Sequence, residues 1–164
     1  MIQYRESTVV ILLLLFTACT MSPRGQQFTY TFSMESINNF RVTLQLNPDS
    51  SWMVARYNYF FDRFGGSSSV LERDGKLTDQ EHAAFVKLLK KSGIEFMKES
   101  YGFDSEENIG CSVIYMLSLT PEGGKTLYIN IRENAEDRFS DAFREMILYS
   151  SLFLNNKLET DSAY

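Results

Sequence analysis

The chain has 164 residues, a formal net charge of −5 and an aromatic content of 14%. This length suits one domain that can bury a core without disulfide or metal cross-links. The acidic balance disfavours nucleic-acid binding, which depends on phosphate neutralisation by lysine and arginine, and it disfavours electrostatic docking onto anionic lipid. We therefore expect a globular domain with no nucleic-acid partner.

A short apolar run, residues 9–16, lies near the amino terminus and leads into Phe-Thr-Ala-Cys at 16–19. A membrane-spanning helix needs roughly 20 apolar residues, whereas this run has the length of a signal-peptide hydrophobic region. Residues 16–19 resemble the lipobox of bacterial lipoproteins. This resemblance covers residues 1–19 and implies cleavage before Cys19 and acylation of that cysteine. An ordinary cleaved signal peptide and an uncleaved anchor are the alternatives.

The lipobox resemblance also implies a location. Stable anchoring takes at least two acyl chains, which the acylated cysteine of this family carries. The next residue is Thr20, not the Asp that resembles an inner-membrane retention signal, so the resemblance points to the outer membrane of a Gram-negative cell. Either leaflet is compatible with it. The expected organisation is a signal peptide at 1–18, the lipidated cysteine and a short tether at 19–27, a globular domain at 28–155 and a polar tail at 156–164.

Three strands are predicted at the start of the globular domain. Residues 28–34 and 40–46 alternate between apolar and polar side chains, which is typical of half-buried strands. The short polar connection between them favours an antiparallel hairpin. Residues 52–61 form the third predicted strand and carry apolar side chains on both faces. This pattern indicates a central strand, or a strand whose outer face is covered.

A capped helix is predicted after a short strand at 70–73 and a tight turn at Asp74-Gly75. Residues 78–81 match the capping box, with a hydroxyl at the cap and a carboxylate three residues later. The helix should run from residue 79 to about 91, where Gly93 is placed to end it. A further short helical turn packed on the core is expected from the apolar residues Ile94, Phe96, Met97 and Tyr101.

Two more strands, at 111–120 and 126–131, are predicted on either side of a glycine-containing loop. Ser140 can cap a final helix from Asp141 to Leu154. The apolar positions of that helix follow the helical period: Phe139, Ala142, Phe143, Met146, Ile147, Ser150 and Leu154. This order predicts an α+β fold, an antiparallel sheet built of hairpins with two main helices packed on one face in a single domain.

The sequence contains no recognisable catalytic or metal-binding set. Its one histidine, His82, falls in the first turn of the predicted helix, where we expect a surface residue and not the base of a nucleophile. Cys111 is expected to be a small core residue, with a functional thiol as the alternative. The acidic stretch 104–108 lacks the spacing of a calcium loop and is interpreted as a solvated loop, with a cation site as the alternative. We expect no cofactor, no metal and no catalytic residues.

An aromatic cluster beside a glycine–serine loop is the candidate binding surface. Its residues are Tyr57, Tyr59, Phe61, Phe64, Gly65 and Gly66. Aromatic side chains are enriched where surfaces bind partners, and they can also stack on sugar rings. A protein or glycan partner is therefore expected at this junction. The alternative is that these aromatic residues line the core beneath the helices.

The favoured hypothesis is a non-catalytic binding or interaction module, attached to the outer membrane by its lipid anchor. A lipid-anchored inhibitor or accessory subunit of an exported enzyme is the alternative. In its order of hairpin, capped helix, hairpin and terminal helix, the region 28–154 resembles the emfourin-type inhibitor domains of bacterial metalloproteases and uncharacterised lipoprotein domains. This resemblance lies in element order, and no site residues are carried over. A carboxylate-dependent hydrolase is the third hypothesis.

Overall fold

The structure, a computed structural model, describes residues 27–36, 39–59, 70–103, 113–132 and 138–159. Seven strands, two α-helices and one 3-10 helix lie in these ranges. The strands are β1 (Phe28–Ser36), β2 (Phe40–Leu46), β3 (Ser51–Asn58), β4 (Leu71–Lys76), β5 (Ser100–Tyr101), β6 (Val113–Pro121) and β7 (Leu127–Arg132). The helices are α1 (Asp79–Ser92), the 3-10 helix (Ile94–Phe96) and α2 (Asp141–Glu159).

The strands form one sheet in the order β4-β3-β2-β1-β6-β7-β5. Every neighbouring pair is antiparallel except β5 and β7, which are parallel. The prediction of an α+β fold with an antiparallel-rich sheet is therefore confirmed. Strand β3 lies between β2 and β4, as the apolar residues on both of its faces predict.

The strand register divides the sheet into a covered face, on which α1 and α2 pack, and an opposite face, called the open face, on which neither of these helices packs. Alternate apolar residues point to the covered face and are buried there. This buried set includes Phe28, Tyr30, Phe32, Val42, Leu44, Leu46, Trp52, Val54, Leu117, Ile129 and Ile131. The open face carries hydroxyl side chains, and the Ser33 and Thr43 hydroxyls hydrogen-bond across β1 and β2 at 3.1 Å. The predicted alternation of β1 and β2 is confirmed.

Helix α1 begins and ends at the predicted signals. The Glu81 N–H donates to the Thr78 hydroxyl at 3.2 Å, and the Thr78 N–H donates to the Glu81 carboxylate at 2.8 Å, which completes the capping box. Gly93 follows the helix with a φ of 69°, a left-handed conformation that glycine adopts without steric cost. Phe85 on α1 packs on Tyr30 of β1, with ring centroids 5.2 Å apart.

Helix α2 crosses the covered face and buries the predicted stripe, including Phe143, Met146, Ser150 and Leu154. The Ser140 hydroxyl accepts from the Phe143 N–H at 3.3 Å, consistent with a cap at this position. The helix continues to Glu159, beyond the end predicted at Leu154. A physical reason is visible in the last turn, because the Lys157 ammonium lies 4.9 Å from the centre of the Trp52 ring, a favourable cation–π contact.

The tight turn predicted at Asp74-Gly75 is wrong. Both residues lie inside β4, where Asp74 pairs with Met53 and Gly75 pairs with Trp52. A Cβ atom on Gly75 would lie 2.5 Å from Cζ2 of the Trp52 ring. Because glycine has no side chain, the Trp52 indole ring can approach the backbone of β4 closely at this position, which is one of the usual reasons for a glycine inside a strand.

The helical turn predicted around Ile94 to Tyr101 is only partly confirmed. Ile94 is buried in the 3-10 helix, as expected. Phe96 is not packed on the core, since 84% of its surface is exposed. Tyr101 lies in β5 instead of a helix, and its ring packs edge-on against Phe139 at 4.9 Å. No helix in the described part of the chain has both the length and the apolar composition needed to cross a bilayer.

Candidate functional site

The helical layer leaves a groove open at one corner of the covered face. Helix α2 contacts β2, β3 and β4, whereas α1 packs most extensively against α2. Between α1 and the β6–β7 hairpin lies a groove of about 630 Å³. Sites for small molecules in proteins occupy roughly 300–1,000 Å³ and are lined mainly by apolar side chains with a few polar groups. The groove therefore has the dimensions of a ligand site.

The floor of the groove is formed by two cross-strand pairs. Leu119 on β6 pairs with Leu127 on β7, and Phe28 on β1 pairs with Pro121 on β6. Strand pairing places both members of each pair on one face of the sheet. Leu119, Pro121 and Leu127 are only partly buried. The floor is thus apolar and open to solvent.

One wall of the groove comes from α1. Val86, Leu89 and Lys90 line it, and their spacing of three and four residues places them on one side of the helix. The left-handed Gly93 then turns the chain, so that Ile94 and Glu95 also line the groove. The capping signals that position α1 therefore position this wall as well.

Charged side chains border the apolar floor. Lys90 comes from the helix wall and Lys125 from the β6–β7 turn, and both are exposed. Neither lysine forms an ion pair with a carboxylate in the described ranges. Glu95 is the one acidic residue among those that line the groove. The groove therefore carries a net charge of about +1 at neutral pH, opposite in sign to the chain as a whole.

The groove lies at the end of the sheet where the described chain begins. Phe28, in its lining, is the first residue of β1. The Glu122 N–H donates to the Gln27 carbonyl at 2.9 Å, so Gln27 lies beside the turn that carries Lys125.

The predicted aromatic site lies elsewhere. Tyr57 is on the open face of β3, opposite the groove, and 37% of its surface is exposed. Tyr59 is partly buried, and its N–H donates to the Asn39 carbonyl at 2.9 Å. The other predicted residues of this site fall outside the described ranges: Phe61, Phe64, Gly65 and Gly66. The candidate surface therefore stays a prediction.

The remaining candidates for chemistry either do not line the groove or fall outside the described ranges. His82 is half-buried, and its ring stacks on Phe28 with centroids 6.5 Å apart. Cys19, Cys111 and the acidic stretch 104–108 are outside the described ranges. Within those ranges, no group of three His, Cys, Asp or Glu side chains is arranged to hold a metal ion.

Comparison with known proteins gives no family assignment. No protein-family model matches the chain, and no curated protein matches it with significant similarity. The function of the chain is therefore inferred from the resemblance of residues 16–19 to a lipobox and from the geometry of the groove.

Proposed function

We propose that this chain is a lipid-anchored, non-catalytic binding module of the bacterial cell envelope, attached to the outer membrane through Cys19. In this proposal residues 28–155 are a single α+β domain built of hairpins, and residues 19–27 are the tether. The groove between α1 and the β6–β7 hairpin is the observation that supports a binding role. It combines an apolar floor with a few charged groups, which is the usual composition of a ligand site.

The energetics of the groove favour a ligand. Protein interiors are normally packed with few voids larger than a water molecule. Each 100 Å² of apolar surface left in water forgoes about 2.5 kcal/mol of stabilisation. Leu119 and Leu127 are only partly buried although their strands continue the core. A ligand that covered these two leucines would gain the stabilisation that the fold alone does not obtain from them.

The proposed anchor and the groove are close along the chain. Nine peptide steps separate Cys19 from Phe28, so a fully extended connection spans at most roughly 30 Å. If Cys19 is acylated, the groove end of the domain is held near the bilayer. A ligand could then pass between the membrane and the groove over a short distance.

The anchor is tested by Cys19→Ala in the full chain. We expect the variant to leave the membrane fraction or to accumulate with its first 18 residues uncleaved, because its acylation site is missing. Fractionation, detergent partitioning and intact-mass measurement read both outcomes. Unchanged processing together with unchanged detergent partitioning would refute the lipoprotein assignment.

An accessory subunit or inhibitor of an exported enzyme is the second candidate. The observation that favours it is an apolar ridge on the outer side of α2, where Leu148 and Leu152 are 58% and 52% exposed. Their spacing of four residues makes them neighbours on the helix surface. Crosslinking in intact cells separates the candidates. One dominant protein partner, lost in Leu148→Ser/Leu152→Ser, supports the accessory subunit, and the absence of a protein partner supports a small-molecule ligand.

A further inference from the structure

We propose that the groove binds a long-chain fatty acid, with its acyl chain on the apolar floor and its carboxylate between Lys90 and Lys125. This inference rests on the proposed binding function and names the ligand class of the same site. It follows from three properties of the groove: its apolar lining, the charge at its rim and its place at the amino-terminal end of the domain.

The lining matches an unbranched hydrocarbon chain. Phe28, Leu119 and Leu127 form an apolar surface across three adjacent strands, and Val86 and Leu89 face it from α1. Among the described residues that line the groove, none carries a hydroxyl or amide side chain, so the floor that they form lacks the side-chain partners that a sugar would hydrogen-bond. Each methylene transferred from water to such a surface strengthens binding by roughly fourfold. Long chains are therefore favoured over short ones.

The rim matches a single negative charge. Lys90 lines the groove from α1 and Lys125 lines it from the β6–β7 turn, and each ammonium group has three donors. In this proposal the carboxylate accepts hydrogen bonds from both ammonium groups. Glu95 also borders the groove and would repel a second negative charge on the ligand. This arrangement favours the monoanionic head of a fatty acid over a phosphate dianion.

The position of the groove matches a ligand that comes from a bilayer. The Glu122 N–H, next to the groove residue Pro121, donates to the Gln27 carbonyl, so the described chain begins beside the groove, and the proposed anchor is eight residues before Gln27. Phe96 follows directly after the groove residues Ile94 and Glu95, and 84% of its surface is exposed.

The test is photo-labelling of the full chain in native membranes with a palmitate analogue that carries a diazirine near its methyl end. Labelled peptides are identified by mass spectrometry, and unlabelled palmitate competes to give an apparent affinity. We expect labels within 86–95 and 119–127, the two segments that line the groove. Labels spread over the outer side of α2, or labels that palmitate does not displace, would overturn the proposal.

Charge variants test the head-group contact. Lys90→Glu/Lys125→Glu should weaken competition by palmitate about tenfold or more, as expected for lost hydrogen bonds to a charged group. The matched control is Lys87→Glu, an exposed lysine on α1 that does not line the groove. Labelling by the corresponding fatty alcohol should change little in either variant. Equal losses for acid and alcohol would overturn the carboxylate assignment.

A blocking variant tests the acyl site independently of charge. Val86→Trp places a large ring in the groove and should abolish labelling, while circular dichroism and the melting temperature show that the fold is retained.

Stronger labelling by a photoactivatable phospholipid than by the fatty acid would overturn the choice of ligand. Fractionation of the same samples separates the two proposals. A membrane-bound chain with an unlabelled groove refutes the ligand alone, whereas a labelled chain released from the membrane refutes the anchor alone.

Discussion

The two helices cover the same sheet face in different ways. Under α2, the Ser150 hydroxyl donates to the Met146 carbonyl at 2.9 Å. Because a hydroxyl has only one proton to donate, the Tyr30 hydroxyl must be the donor in its own 2.9 Å hydrogen bond with Ser150. Phe153 meets Trp52 edge-on at 5.6 Å. Beside α1, Leu119 of β6 and Leu127 of β7 are only partly buried around the groove. The α2 half is therefore closely packed, whereas the α1 half leaves the groove where we propose that a ligand binds.

Truncating one side chain in each half, a fully buried one under α2 and a partly buried one on α1, should give the largest contrast. Phe143→Ala removes a fully buried ring that packs on Phe139 at 5.1 Å, and it should cost about 3–5 kcal/mol in the free energy of unfolding. Val86→Ala, in the groove wall, should cost about 1 kcal/mol or less, because the side chain is only partly buried. Denaturant unfolding measures both. Comparable losses in the two variants would remove the distinction between the halves.

Overpacking in the α2 half should have the next largest effect. Gly75→Ala forces a methyl group against the Trp52 ring and should cost about 1–3 kcal/mol, the usual range for insertions into a packed region. The fluorescence of Trp52, the single tryptophan of the chain, should change with it. Lys76→Ala, at the exposed next position of β4, is the control and should stay within about 0.5 kcal/mol of the wild type. A Gly75→Ala protein as stable as this control would show that the ring can move away without cost.

Breaking the buried hydrogen bond between the Tyr30 and Ser150 hydroxyls should change the free energy of unfolding least, and the change should depend on pH. Tyr30→Phe should cost about 1 kcal/mol at neutral pH, the net value of a typical hydrogen bond. Burial raises the pKa of Tyr30 above its ordinary value. Above about pH 10 the unfolded chain therefore loses this proton before the folded chain does, and stability falls by up to about 1.4 kcal/mol per pH unit.

The pH dependence can be isolated by difference. Phe at position 30 cannot titrate, so the stability gap between wild type and Tyr30→Phe should be constant up to about pH 9.5 and should narrow above about pH 10. Burial also raises the pKa of Tyr149, with a further contribution from Glu81, but Tyr149 is present in both proteins and its effect cancels. A gap that is the same at pH 9 and pH 11 would contradict the buried state of Tyr30.

Local sequence signals were sufficient to predict features that depend on a single residue or on one short pattern. Thr78 and Gly93 gave the two ends of α1, and alternation gave the faces of β1 and β2. They were insufficient where the same residue types serve different purposes. Asp74-Gly75 has the chemistry of a turn, yet it lies in β4 because Trp52 needs a glycine beneath its ring.

The groove could not be predicted from the sequence. Leu119 and Leu127 continue the apolar alternation of β6 and β7, a pattern that predicts core residues and carries no information on how closely a helix approaches them. Whether a space remains depends on the direction in which α2 crosses the sheet and on where α1 lies beside it. The sequence also could not predict that two lysines line one groove, since Lys90 and Lys125 are far apart in sequence and only the fold brings both to its rim.

Methyl NMR of the full chain in nanodiscs, titrated with palmitate, tests the central comparison most directly. The fatty acid should shift the methyl signals of Val86, Leu89, Leu119 and Leu127, which line the groove. It should leave those of Val54 and Leu154, which are fully buried in the α2 half, nearly unchanged. Shifts of similar size in both halves, or none at the groove, would contradict the division of the helical layer into a closed half and a ligand-binding half.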